Sequence, residues 1–289
     1  MRAKRLLATT ALTVVALLGT AGVTGISTAA SAAVKAAPAA ASDTVPKPGG
    51  LIVGKGTSQS TTVPTISENW SGYVATAKKQ FSYVHSSWVV PAITCTGVAD
   101  QYTSNWVGLD GYSDATVEQD GTAAWCGGTG HTTPKYQAWY EMYPANSVNV
   151  FNVHPGDIVD ASVTYAGGEF SLKVSDLSTG KTATDVATCA SCERSSAEWI
   201  IERPGLCNNA GTSCILAELA DFGTTTMTGD QAQVTGGSIK GAGAFTNTPI
   251  IMIDPLSDGG FISIDNVSAL SGKSFTVTWL RSGSIQPLS

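Results

Sequence analysis

The chain predicts an all-β protein, a single sandwich of two large antiparallel sheets over residues 65–289. Three observations carry that expectation. From Ile66 onward, short runs of apolar, β-branched and aromatic residues alternate with polar ones at the period of a strand. Turn formers punctuate these runs at short spacing. Helical periodicity is weak, with Cys214–Phe222 the one short candidate outside the N-terminal region. Many short strands in one chain of this size pack as two sheets face to face.

Residues 1–64 stand apart from that texture. Met1–Arg5 is basic, Leu6–Val23 is apolar, and Ala30-Ser31-Ala32 closes the run with small residues, so 1–32 reads as a signal peptide and the product as secreted and extracellular. A membrane anchor is the other reading of an apolar run, but Thr and Gly interrupt this one and a cleavage-like site ends it. No other stretch is long and apolar enough to span a bilayer, so no membrane partner is expected once the signal is removed. Residues 33–64 are mostly Ala, Pro, Gly, Ser, Thr and Lys, with Leu51-Ile52-Val53 the only sizeable apolar cluster. Such a segment cannot bury a core and reads as a pro-segment or linker.

Charge narrows the partners. Removing the signal takes Arg2, Lys4 and Arg5 and no acid from a formal charge of −6, leaving −9. An acidic surface repels phosphate backbones, which argues against nucleic acid as a partner; a monomer acting on polypeptides is expected. The pro-segment has the opposite sign, with Lys35, Lys47 and Lys55 against Asp43. It suits a zymogen in which a cationic strand lies on an acidic groove at neutral pH and leaves in acid. An inert leader or wall-spanning linker is the alternative.

Within the domain, the elements follow in order. In Phe81–Val90, Val84, Trp88 and Val90 share one parity. In Tyr136–Tyr143, Tyr136, Ala138, Tyr140 and Met142 point one way and Gln137, Trp139, Glu141 and Tyr143 the other. Similar runs occupy Ser147–Val153, Ile158–Tyr165, Glu169–Ser175, Ala197–Glu202, Ile250–Ile253, Phe261–Ile264 and Ser274–Leu280. Asp110-Gly111, Asp120-Gly121 and Ser282-Gly283 read as turns.

The six cysteines, Cys95, Cys126, Cys189, Cys192, Cys207 and Cys214, all lie in the exported part and suit three disulfides, with fifteen connectivities open. Zinc is the rival reading of Cys189-Ala190-Ser191-Cys192, but the pair that follows lacks the tight spacing of a zinc ribbon. Cys207 and Cys214 enclose a short loop of turn formers and are expected to pair. Cys95–Cys126 with Cys189–Cys192 is the preferred arrangement of the rest, since a C-x-x-C can close on itself.

Common hydrolase signatures are missing. The three histidines form no H-E-x-x-H, no Asp-Thr-Gly or Asp-Ser-Gly pair occurs, and Gly111-Tyr112-Ser113-Asp114-Ala115 lacks the second glycine of a nucleophile elbow and reads as a turn. What remains is acid and amide side chains set among aromatics: Asn69-Trp70-Ser71-Gly72-Tyr73, Trp88-Val89-Val90-Pro91, Trp106-Val107-Gly108-Leu109-Asp110, a turn at Gln119, Trp139-Tyr140-Glu141, and Ala197-Glu198-Trp199-Ile200-Ile201-Glu202. For any one carboxylate a solvated face is the simpler explanation; several segments pairing Trp or Tyr with an acid or amide suggest a lined cleft. In this order, over about Ser67 to Ser289, these segments resemble the glutamic peptidases, the eqolisins of family G1, in a bacterial-type form.

That resemblance implies a lectin-like (concanavalin A-like) sandwich with a substrate groove on its concave face. It places the family's catalytic glutamine on Gln119, its catalytic glutamate on Glu198, and its substrate-binding residues on Trp106, Asp110, Trp139 and Glu141. It implies no metal and no cofactor, and a short cystine loop after the catalytic glutamate agrees with Cys207–Cys214. Two departures stand out: Asp110–Gln119 lacks the cysteine of fungal members, and the loop from Cys126 to His131 is inserted. The chemistry is coherent for an acid endopeptidase. A glutamate with an ordinary pKa near 4 can deprotonate water and return the proton to the leaving amine, while a neutral glutamine N–H stabilises the oxyanion. A carbohydrate-binding sandwich stacking sugars on Trp106, Trp139 and Trp199 is the alternative from another class, and a structural cell-surface module a third.

Overall fold

The computed structural model describes residues 64–208 and 213–288, where regular structure is β-strand apart from one turn of 3-10 helix at Ala242–Ala244. The expected signal and all but the last residue of the expected pro-segment lie outside the described residues. Two large sheets form the sandwich. The eight-stranded sheet runs Lys181–Ala187, Glu169–Asp176, Ile158–Ala166, Phe81–Val89, Thr224–Val234, Ser274–Trp279 and Asp265–Val267, with Lys240–Gly241 added to the long Thr224–Val234 strand. The ten-stranded sheet centres on Thr246–Pro255, Trp70–Thr76, Ser196–Glu202, Gln101–Leu109, Val117–Gly127, Thr133–Tyr143 and Val148–Asn152, in that spatial order. Pairing is antiparallel except where Thr65–Ser67 runs along Ile250–Met252 and Glu218–Leu219 along Gln101–Tyr102.

Alternation places the main core between the sheets. Val84, Trp88, Phe81, Phe170, Leu172, Phe275 and Val277 come to it from the smaller sheet, and Val107, Leu109, Ala138, Trp199 and Ile201 from the larger. Tyr136, Tyr140 and Met142 pack against it, on the parity expected of them. The two large buried indoles here satisfy their N–H groups, Trp88 donating to Thr122 Oγ1 at 3.0 Å and Trp199 to the His85 carbonyl at 2.8 Å. A second cluster lies on the opposite face of the ten-stranded sheet: Trp70, Val74, Trp106, Val117, Ala123, Trp139, Ile200 and Ile250. The central strands are therefore covered on both faces, and Gln101–Leu109 is buried at every position.

The three disulfides are Cys95–Cys126, Cys189–Cys192 and Cys207–Cys214, as expected. The third closes a hairpin of the small sheet Gly205–Cys207, Cys214–Leu216 and Gln286–Leu288. Two expectations fail. Cys214–Phe222 is not helical; it forms the short strands Cys214–Leu216 and Glu218–Leu219, because cross-linking and pairing to Gln286–Leu288 and Gln101–Tyr102 override a weak local preference. Asp120-Gly121, and with it the expected turn at Gln119, lies in the middle of Val117–Gly127. Gly121 serves close strand approach there, since a Cβ would sit 2.1 Å from the Asn105 carbonyl oxygen. Asp110-Gly111 does turn, with φ of 71° and 94°.

Candidate active site

Four neighbouring strands set one row of residues across the outer face of the large sheet. Glu198 on Ser196–Glu202 pairs with Gly108 on Gln101–Leu109, Gly108 with Gln119 on Val117–Gly127, and Gln119 with Glu141 on Thr133–Tyr143. Directly paired residues project to the same side, so Glu198, Gln119 and Glu141 face one way, and two strand spacings, roughly 10 Å, separate the Cα atoms of Glu198 and Gln119. Between them stands a residue with no side chain. The next row is Ile200, Trp106, Gly121 and Trp139, so two indoles flank a second glycine. A Cβ at Gly108 would lie 2.9 Å from Trp106 Cζ3, so this floor is open because the two central positions are glycine.

The polar contacts divide into held and unheld groups. Gln119 Nε2 donates to Glu141 Oε2 at 2.7 Å, which fixes the amide orientation and leaves its second N–H to point elsewhere. Trp106 Nε1 donates to Glu202 Oε2 at 2.7 Å, and Asn69 Nδ2 to Glu202 Oε1 at 3.2 Å, so Glu202 anchors the indole of this outer face. Both Glu198 carboxyl oxygens, Gln119 Oε1 and Trp139 Nε1 are buried without a hydrogen-bond partner among the described residues. Buried polar atoms are costly unless paired, and here they share one face of one sheet.

The Peptidase A4 family matches residues 68–279. This chain belongs to that family. Scytalidopepsin B of Scytalidium lignicola is 30% identical over 166 residues, covering 55% of this chain and 60% of that protein; the match thus spans less than two thirds of this curated relative. The crystal structure of scytalido-glutamic peptidase with a transition state analog inhibitor superposes with a TM-score of 0.62 at 24% identity, covering 74% of this chain and 98% of that one. A second, with a peptide-based transition state analog, gives 0.62 at 25% identity over the same shares. The sandwich expected from the resemblance to glutamic peptidases is the fold these structures share.

Within this Peptidase A4 domain, five expected site residues come together: Gln119, Glu198, Trp106, Trp139 and Glu141. Asp110 does not join them on the floor. It follows the Gly108 strand, and its carboxylate accepts the amides of Ser195 at 2.6 Å and Arg194 at 2.7 Å, tying the Asp110 turn to the segment that enters the Glu198 strand. Trp199, which a sugar-stacking face requires beside Trp106 and Trp139, points into the main core instead. The glycines of the floor, Gly108 and Gly121, were missed as site elements; Gly121 read as a turn signal because its purpose, strand approach, leaves no local mark. Burial first, with the negative charges of Asp110 and Asp114, raises the Glu198 carboxyl well above the usual carboxylate range.

Proposed function

We propose that this chain is a secreted acid endopeptidase that hydrolyses peptide bonds with Glu198 and Gln119, and that residues 33–64 serve as its pro-segment. Glu198 is the general base and acid. Its carboxylate takes a proton from a water attacking the scissile carbonyl, and the resulting carboxylic acid returns that proton to the leaving amine. Gln119 is the oxyanion donor. One N–H is spent on Glu141, and the other meets the oxygen that becomes negative in the tetrahedral intermediate. Glu141 thus acts through Gln119, and Trp139 Nε1 is a free donor for a substrate carbonyl. A raised pKa makes the Glu198 carboxylate a stronger base, which favours the step that takes the proton from water; ionisation of Glu198 sets the rising acid limb of kcat/KM.

The observation that carries this reading is the shared row: a carboxyl with two unpartnered oxygens and an amide with one fixed N–H, separated by a side-chain-free position where a peptide carbonyl fits. Purified, matured protein assayed on a denatured protein substrate between pH 2 and 7 tests it. Cleavage in acid that Glu198→Gln abolishes is expected; acid cleavage that survives this substitution in a folded protein overturns the assignment. Substrates of basic, acidic and apolar character at the cleaved position then define specificity.

A further inference from the structure

The hydrogen bonds that hold Trp106 do not stop at Glu202. Ser67 Oγ accepts the backbone amides of Asn69 at 3.2 Å and Trp70 at 3.0 Å. Its lone pairs are thereby taken, and its own proton goes to Asn69 Oδ1 at 3.0 Å. That fixes which way the amide faces: Asn69 Nδ2 is turned to Glu202 Oε1 at 3.2 Å, and Glu202 Oε2 receives the Trp106 indole N–H at 2.7 Å. Ser67, Asn69, Glu202 and Trp106 are all buried, so each bond in this relay is made away from water.

Both ends of the relay are tied down. At the far end, Arg203 donates its backbone amide to the Asn69 carbonyl at 3.0 Å and its Nε to the Glu68 carbonyl at 2.6 Å. Its guanidinium is held in turn by Asp254 Oδ1 at 3.2 Å and the Ile253 carbonyl at 3.3 Å. At the near end, the Trp106 ring meets Trp70 edge-on, with centroids 4.9 Å apart, and leans toward Gly108, where a Cβ would lie 2.9 Å from Cζ3. Gly108 stands between Glu198 and Gln119, so the relay ends on the wall of the space that separates them.

We propose that Asn69 and Glu202 are positioning residues: acting through the indole N–H, they set where the Trp106 ring stands and so the width of the space at Gly108. An apolar side chain at 202 would fill volume without fixing the ring's direction, whereas a carboxylate that accepts from two sides does both. Such a buried relay holds its geometry only while every donor meets an acceptor, and one mismatched pair displaces the groups at both ends. That this space receives the scissile carbonyl rests on the reading of Glu198 and Gln119 as the reacting pair; the hold on the indole does not.

Exchanging the two side chains tests the relay. Asn69→Asp sets carboxylate against carboxylate. Glu202→Gln sets an N–H against either the indole or the Asn69 amide. Combining both substitutions closes the relay again at unchanged net charge, since the amide now at 202 donates to the carboxylate now at 69 and its oxygen accepts the indole. Matured protein labelled at the indole nitrogens gives one N–H resonance per tryptophan by NMR, with that of Trp106 assigned from Trp106→Phe. Each single variant should move this resonance and lower kcat/KM about tenfold or more. The double variant should restore the resonance and bring kcat/KM to within about threefold of the wild type. Single variants that keep the wild-type resonance and kcat/KM overturn the proposal whatever their melting temperature does, because a merely structural role moves stability alone. A double variant no better than the singles overturns it too, and a resonance that moves without a change in kcat/KM overturns the link to the space at Gly108. Should the single variants not fold, the double variant decides: folded with wild-type cleavage it supports the relay, and unfolded or more than about tenfold slower it overturns it. If the protein cleaves nothing, the acid endopeptidase reading fails while the indole resonance still decides whether Asn69 and Glu202 hold Trp106.

Discussion

The two sheets of this sandwich treat polar side chains in opposite ways. In Thr224–Val234 of the smaller sheet, Thr224, Thr226 and Thr228 are exposed while Thr225 and Met227 are buried, so every outward hydroxyl has water at hand. In the larger sheet the outward face carries Glu198, Gln119, Glu141 and Glu202, and all four are buried among Trp70, Trp106 and Trp139. A polar group costs nothing on a solvated face and about 1–3 kcal/mol, more if charged, when buried unpaired. A fold optimised only for stability would place such groups on the first face. Unpartnered atoms occur elsewhere too, at Asp120 and at Asp230, but those of Glu198, Gln119 and Trp139 gather on one face around the two floor glycines, and that grouping supports the proposal that this face does the chemistry.

The sharpest break of this contrast is at the two groups proposed to react. Glu198→Gln should abolish peptide hydrolysis, a loss of at least about 10³-fold in kcat, and Gln119→Ala should cost about 10²–10³-fold, as removal of one oxyanion donor does elsewhere. Neither should unfold the protein. Glu198→Gln should hold or raise the melting temperature at pH 7, because it replaces a buried unpartnered acid with a neutral amide. Calorimetry beside a steady-state assay checks both; a variant that is inactive because it is unfolded would remove the distinction between the faces.

Acid–base linkage sharpens the comparison next. Burial holds Asp230 and Asp265 up at about 7 and, with the Asp110 charge, Glu118 at about 9. Each binds its proton more tightly folded than unfolded, where carboxyls titrate near 4. Their stabilisation is therefore fully present below about pH 4 and is lost as pH rises through 7 and then 9. Unfolding free energy should fall by several kcal/mol between pH 4 and 9.5, the inverse of ordinary acid denaturation. Denaturant titrations across that range are the measurement, and Asp265→Asn should flatten the segment between pH 4 and 7.

How much of this was legible in the sequence follows the same division. Strands with one solvated face, Phe81–Val89, Ile158–Ala166 and Glu169–Asp176, were read from alternation almost to their ends. Trp70–Thr76, Gln101–Leu109 and Val117–Gly127 were visible only as motifs, because a strand covered on both faces shows no alternation. Gln119 and Glu198 were reached through the family resemblance, and the parity of Ala197–Glu202 put Glu198, Ile200 and Glu202 on the correct shared face. What no local pattern carries is register across strands. It decides that Gly108 stands between Glu198 and Gln119 and that Asp110 turns to bind amides.

A smaller effect is expected at that register position. Gly108→Ala adds one carbon, which would sit 2.9 Å from the Trp106 ring held by Glu202. The indole must shift, and misplacement of this order in a preorganised site costs about 10–100-fold in kcat/KM. Unchanged kinetics would show that the space between Glu198 and Gln119 is not where the substrate lies.

The smallest effect belongs on the other sheet and serves as the control for all of these. Thr226 and Thr276 face each other across two strands, their hydroxyls 3.1 Å apart and exposed. Thr226→Ala deletes one of them, but the remaining hydroxyl turns to water, so no buried group is stranded. A cross-strand pair of this kind is worth about 0.2–1 kcal/mol, and surface changes away from special features fall within about 0.5 kcal/mol. Thr226→Ala should therefore shift stability by no more than about 0.5 kcal/mol and leave kcat/KM unchanged. A loss of activity on this variant would mean that the solvated sheet is coupled to the groove through the core, and the assignment of chemistry to one face alone would have to be abandoned.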